Sequence, residues 1–86
     1  MVDKYPLLRY SAKIKQVGNE VYLVNKNEAW DINDSSYFIL KKCDGKNSIQ
    51  DIANQLSIKY NIAESKALSD CNEILNYFLA QELLDI

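Results

Sequence analysis

Apolar and polar positions along the chain change their period once, near residue 33. Before it they suit strands, with apolar side chains two apart and short polar turns between. Ser11–Val17 is the first predicted strand, with Ala12, Ile14 and Val17 as its apolar positions. Gly18-Asn19 is a hairpin turn signal, because both residues tolerate positive φ. Glu20–Asn25 is dense in β formers. Lys26-Asn27 is a second short turn, and Glu28–Ile32 is a third strand. Glu28, Trp30 and Ile32 share one face of it; Ala29 and Asp31 share the other. Strands joined by turns this short form an antiparallel meander whose third strand is an edge.

Beyond residue 33 the period is helical. Asn33 or Asp34 caps the first helix, its side-chain oxygen taking a free N–H of the first turn. Ser36, Ile39, Leu40 and Cys43 line one side of it, and Tyr37 and Phe38 widen that side. Asp44-Gly45 is expected to end it, with Gly in the left-handed conformation of a helix terminus. Ser48 through Asp51 reads as a capping box, and Ile49, Ile52, Ala53, Leu56 and Tyr60 follow on one helical face. Asn61-Ile62-Ala63 breaks that helix. The last one runs from Glu64 or Ser65 to Glu82, with a broad apolar arc: Ala67, Leu68, Cys71, Ile74, Leu75, Phe78, Leu79 and Leu83. An arc this wide calls for more than one neighbour.

A chain of 86 residues predicts one small domain over residues 1–86, burying roughly 60–65% of its unfolded surface. That leaves little room for a deep active site. An apolar fraction of 48% argues against disorder. A net charge of −2 does not invite nucleic acid or an anionic membrane. No run nears the roughly 18 apolar residues of a membrane span, and Met1 to Pro6 holds no signal-peptide core. A cytoplasmic protein is expected. Cys43 and Cys71 sit at apolar helical positions and read as buried free thiols.

Catalytic chemistry is thin. With no His, the usual general base near neutral pH is missing, and neither a Cys–His nor a Ser–His pair can be built. Two Cys without His cannot close a four-ligand zinc site. Gly18 and Gly45 are the only glycines, so no phosphate-binding Gly loop exists. The expectation is a protein that is not an enzyme and holds no cofactor or metal.

Strands followed by three helices give an α+β, winged helix-turn-helix arrangement. Several residues then carry a closer likeness: Tyr5-Pro6, Ile32-Asn33, Ile39-Leu40, Cys43-Asp44-Gly45, Ser48-Ile49 with Ile52, Leu56 and Tyr60, and Asp70-Cys71. In this ordered set the chain resembles the PqqD-like family, also called the RiPP recognition element, from about Tyr5 to Ile86. It departs from the family where Cys71 replaces a common Val, and where Glu82 replaces a common Gly before Leu83-Leu84. The second departure implies a different exit from the last helix, or a longer helix.

The resemblance implies a non-catalytic domain that binds the leader segment of a ribosomally made precursor peptide. It implies presentation of that peptide to a processing enzyme, either a leader peptidase, as in lasso-peptide pathways, or a radical-type modifying enzyme. The leader would add as a strand to the open edge of the third strand, beside the last helix. Candidate peptide-binding residues are Glu28, Ala29, Trp30, Asp31 and Ile32 on the strand. On the helix they are Lys66, Ala67, Asp70, Cys71, Ile74 and Tyr77. Trp30 either walls the groove or fills the core, and both readings bury it. Asp70 is either a groove residue or a carboxylate placed by the helix dipole. Ile74 has a core reading beside its groove reading, whereas Tyr77 lies off the core centre.

The other function class is a winged-helix DNA-binding regulator. Charge opposes it. From Glu64 to Glu82 the acids Glu64, Asp70, Glu73 and Glu82 face Lys66 alone, one positive minus four negative, or −3. Phosphates would repel such a helix. Oligomeric state stays open between monomer and dimer.

Overall fold

The two tight turns fold the first half of the chain into a meander. The computed structural model describes residues 4–86; Met1 to Asp3 of the N-terminal lead lie outside the described residues. Element order is β1 (Leu7–Leu8), β2 (Ala12–Val17), β3 (Glu20–Asn25), β4 (Glu28–Ile32), α1 (Asp34–Lys41), α2 (Ile49–Tyr60), α3 (Glu64–Ala80) and β5 (Leu84–Asp85). β2, β3 and β4 form an antiparallel sheet with β3 in the centre. Ile14, Leu23 and Trp30 stand in one row across its inner face, and Gln16, Val21 and Ile32 in the next. Val17 breaks its expected pattern. It pairs with Glu20 and is exposed, because an odd position on β2 faces away from Ile14. Of the two turn pairs, only Gly18 (φ 62) and Lys26 (φ 54) take the left-handed conformation.

Local chemistry starts and stops the helices. Asn33 caps α1, its side-chain oxygen accepting from the Ser36 amide at 2.9 Å. Ser48 and Asp51 close a reciprocal capping box on α2, with both bonds at 3.0 Å. Asn61 ends α2 in the left-handed conformation, φ 54 and ψ 51. α3 does not reach Glu82. It stops at Ala80, and Glu82 takes φ 61, the place usually given to Gly. The Glu82 amide donates to the Leu79 carbonyl and the Leu83 amide to the Phe78 carbonyl, each at 3.0 Å. These are the two bonds of a Schellman motif, so neither the different exit nor the longer helix expected from the loss of Gly occurs: Glu82 takes the glycine conformation itself.

Asp44-Gly45 does not cap α1. The helix ends at Lys41, and the chain after it turns extended to pair with the N-terminal segment. Leu8 donates to the Cys43 carbonyl and Gly45 to the Pro6 carbonyl, each at 3.0 Å. Gly45 still needs its glycine, at φ 79, but for this crossing and not for a helix end. On its other side β1 pairs antiparallel with β5, Leu7 opposite Asp85 and Leu8 opposite Leu84. Strands of two residues carry no readable period, so this small sheet is silent in the sequence.

The core joins one sheet face to all three helices. Leu23, Ile39, Leu40, Ile52, Leu56, Ala67, Cys71, Leu75 and Leu83 are all buried, with Phe78 and Leu84 beside them. Full burial of a Leu stabilises by roughly 1.5–3 kcal/mol before entropy is counted. α3 supplies four of the buried residues and packs along α2, as its wide apolar arc requires.

Candidate functional site

Among the described residues β4 has no strand partner on its outer edge. The tight turn at Lys26-Asn27 makes Asn25 and Glu28 a hydrogen-bonded pair, and such pairs recur at every second residue. By register the others are Leu23 with Trp30 and Val21 with Ile32. The N–H and C=O groups of Ala29 and Asp31 therefore point away from β3, into the open edge. Both residues are exposed. This is the template an added strand needs.

Beside that edge lies a cleft of about 430 Å³. Trp30, Asp31, Ile32, Asn33 and Ser36 form one wall, and Glu73, Ile74, Tyr77 and Phe78 of α3 form the other. It continues past Ser35 and Ser36 to Asp70, along the N-terminal end of α1. Asp70, Ile74 and Tyr77 reach it together because spacings of four and three keep them on one helical face. Trp30 and Ile74 are half-buried, each packed against the core and open to the cleft. Tyr77 is 50% exposed and sets its ring edge-on to Phe78, with centroids 5.1 Å apart.

The rim is acidic. Asp31 and Glu73 border the cleft and Asp70 its continuation. Lys66 lies next to them but is engaged, its Nζ 2.8 Å from Asp70 Oδ1. That hydrogen bond raises the Lys66 pKa above its ordinary value.

Two expected site residues are corrected. Ala67 and Cys71 are 0% exposed, so no peptide side chain reaches them. They lie on the same stretch of α3 as Asp70 but face the hydrophobic core. Four cleft residues were missed by sequence reasoning: Asn33, Ser36, Glu73 and Phe78. Glu73 and Phe78 carried a signal, being one turn from Asp70 and Ile74 respectively. Asn33 and Ser36 were already assigned to the cap and the inner side of α1.

Both thiols are held protonated. Burial first, and then the neighbouring Cys71, pushes Cys43 up to about 12. Burial, with Asp70 nearby, pushes Cys71 up to about 11. Neither is an active nucleophile near neutral pH. Among the described residues no group of three His, Cys, Asp or Glu is placed to hold a metal ion. Nor is any helix there long and apolar enough to cross a membrane.

A second cleft of about 400 Å³ lies between α1 and α2, lined by Asp34, Tyr37, Phe38, Lys41, Lys59 and Tyr60. Its cations rest on rings: Lys41 is 5.2 Å from the Tyr37 centroid and Lys59 5.5 Å from that of Phe38. It has no open strand edge.

Comparison with known proteins gives the same fold. No curated protein matches the sequence. One solved structure, by NMR, is the PqqD truncation of Methylobacterium extorquens PqqCD, described as a functional and stand-alone RiPP recognition element. It shares 22% identity and a TM-score of 0.81, covering 94% of this chain and 88% of its own. A lasso peptide synthetase B1 complexed with the leader peptide shares 19% identity and a TM-score of 0.82, covering 95% of this chain and 99% of its own. At these identities the likeness establishes the fold. The family model for coenzyme PQQ synthesis protein D (PqqD) matches residues 20–84, from the start of β3 into β5. The chain is therefore a member of the PqqD family.

Proposed function

We propose that the protein is a non-catalytic recognition domain for the leader segment of a ribosomally synthesised precursor peptide. The leader adds as a strand to β4, and its alternate side chains enter the cleft beside α3. One observation carries this reading: the outward N–H and C=O groups of Ala29 and Asp31 open beside the apolar wall of Trp30, Ile74, Tyr77 and Phe78. Main-chain bonds supply generic affinity there, and the wall supplies selectivity. The two solved relatives support it, one described as a recognition element and one complexed with a leader peptide. In this reading residues 1–86 act as one domain. It works in the cytoplasm, where precursor peptides are made, and presents the leader to a leader peptidase or a radical-type modifying enzyme.

Trp30 is the only tryptophan, so its fluorescence reports the site directly. Titration with the cognate leader is expected to shift that emission and to move amide signals of β4 and α3. Ala29→Pro removes an outward N–H while leaving the β3 ladder whole, and is expected to abolish binding in a folded protein. Amide shifts confined to β2 and α2, or undiminished binding by A29P, would refute strand addition at β4.

A further inference from the structure

Among the described residues both edges of the meander are unpaired, and their charges differ in sign. On the outer face β2 carries Lys13 and Lys15, and β4 carries Asp31. Lys15, Tyr22 and Asp31 stand in one row across that face, so positive charge gives way to negative from one edge to the other. Lysines on an edge strand discourage pairing with another strand, especially a cationic one. Around β4 the sign repeats on the far wall of the cleft, where Glu73 stands opposite the strand, and again at Asp70 in the continuation past Ser35 and Ser36. The neighbouring cation Lys66 is already bound to Asp70 at 2.8 Å. A strand lying on β4 would place every second side chain against Trp30, Ile74 and Tyr77. The intervening side chains would lie beside Asp31.

We infer that the segment accepted by β4 is a cationic amphipathic strand, and that charge selects β4 over β2 as the receiving edge. Apolar residues two apart face the cleft. Lys or Arg residues alternate with them next to Asp31, and further Lys or Arg reach Glu73 where the segment leaves β4. This rests on the reading that β4 receives a peptide strand, and adds to it the chemical class of that peptide.

Three synthetic eight-residue peptide pools test it. All carry Val, Ile or Leu at alternate positions; the intervening positions are Lys in the first, Ser in the second and Glu in the third. Binding to the whole chain is followed by Trp30 fluorescence and amide shifts. The Lys pool is expected to bind about tenfold more tightly than the Ser pool at low salt, with the Glu pool weakest. Added salt should narrow that gap. Asp31→Asn with Glu73→Gln should remove the preference of the Lys pool over the Ser pool. Lys13→Glu with Lys15→Glu should open β2, giving a second binding event with the Lys pool.

Equal binding of the three pools, with A29P still abolishing it, would overturn the cationic inference and leave strand addition standing. Binding of the Lys pool to β2 in the unaltered protein would overturn edge selection. Failure of every pool to bind in an A29P-sensitive way would overturn both readings. Concentration-dependent self-association joining β2 of one copy to β4 of another would make a second copy the occupant and refute the peptide class.

Discussion

Lys66 and Asp70 form an ion pair across one turn of α3, Nζ to Oδ1 2.8 Å, at the mouth of the groove that β4 borders. The pair is solvent-exposed on the lysine side, so it adds little to stability. Its effect is on the field at the site, where it neutralises one of the carboxylates. Lys66→Gln is expected to leave the denaturation midpoint unchanged within error. It should tighten binding of the Lys-bearing peptide pool at low salt and lose that gain near 0.15 M salt, where screening is about 8 Å. Titrations at two ionic strengths check it.

Glu82 occupies a left-handed position at φ 61, and only its backbone serves the Schellman motif. A side chain there carries a steric cost of about 1–2 kcal/mol that glycine avoids, offset in part by the greater freedom of glycine in the unfolded chain. Glu82→Gly is expected to stabilise the fold by about 1 kcal/mol, raising the melting temperature by about 4–8 °C. Calorimetry reads it directly. A drop in melting temperature would mean that the Glu82 side chain holds something the hydrogen bonds do not reveal.

Ser48 is both the cap of α2 and a buried polar residue, 7% exposed. Ser48→Ala removes the acceptor of the Asp51 amide and strands the box, at a cost of about 1 kcal/mol. Asp51→Ala breaks the reciprocal half. The double variant should cost less than the sum of the two, since both act through one motif. Urea denaturation of the three variants checks it.

Cys43 and Cys71 make the fold sensitive to alkali. Their folded pKa values, about 12 and about 11, lie above the ordinary 9.0. Below pH 9 the folded and unfolded chains hold these protons equally, so the contribution to stability is whole. Above it the unfolded chain ionises first, and stability falls by about 1.4 kcal/mol per pH unit for each thiol until the folded group also titrates. A thiol reagent at pH 8 is expected to label neither residue in the native protein and both in denaturant. Labelling under native conditions would contradict their burial.

Most of the architecture could be read from residue pattern. The turns at Gly18-Asn19 and Lys26-Asn27, the Ser48 box and the broad arc of α3 each act within a few residues of themselves, where pattern is informative. What escaped depends on distant partners. Asp44-Gly45 had the composition of a helix stop, yet Pro6 and Leu8 bind that stretch and make it an extended crossing. At Glu82 the resemblance marked a usual glycine position, but nothing in the chemistry of Glu announces that the left-handed backbone is kept without it. In the groove, alternation and helical spacing showed only which residues share a face, as Asp70, Ile74 and Tyr77 do; that β4 and α3 border one groove was what the family resemblance implied. Ala67 and Cys71 were misassigned because one angular step around a helix separates a groove wall from the core, and sequence spacing alone does not say where the sheet begins.

β1 is held between two segments from far along the chain. Arg9, just after it, donates its amide to the Leu83 carbonyl at 3.0 Å and pairs with Asp85, 76 positions away. During synthesis, which runs from the N-terminus, the meander, α1, α2 and every residue lining the β4 cleft emerge before Leu83 does. The order of translation is thus an order of closure: the groove can assemble on a nascent chain whose first strand still waits for its last partner.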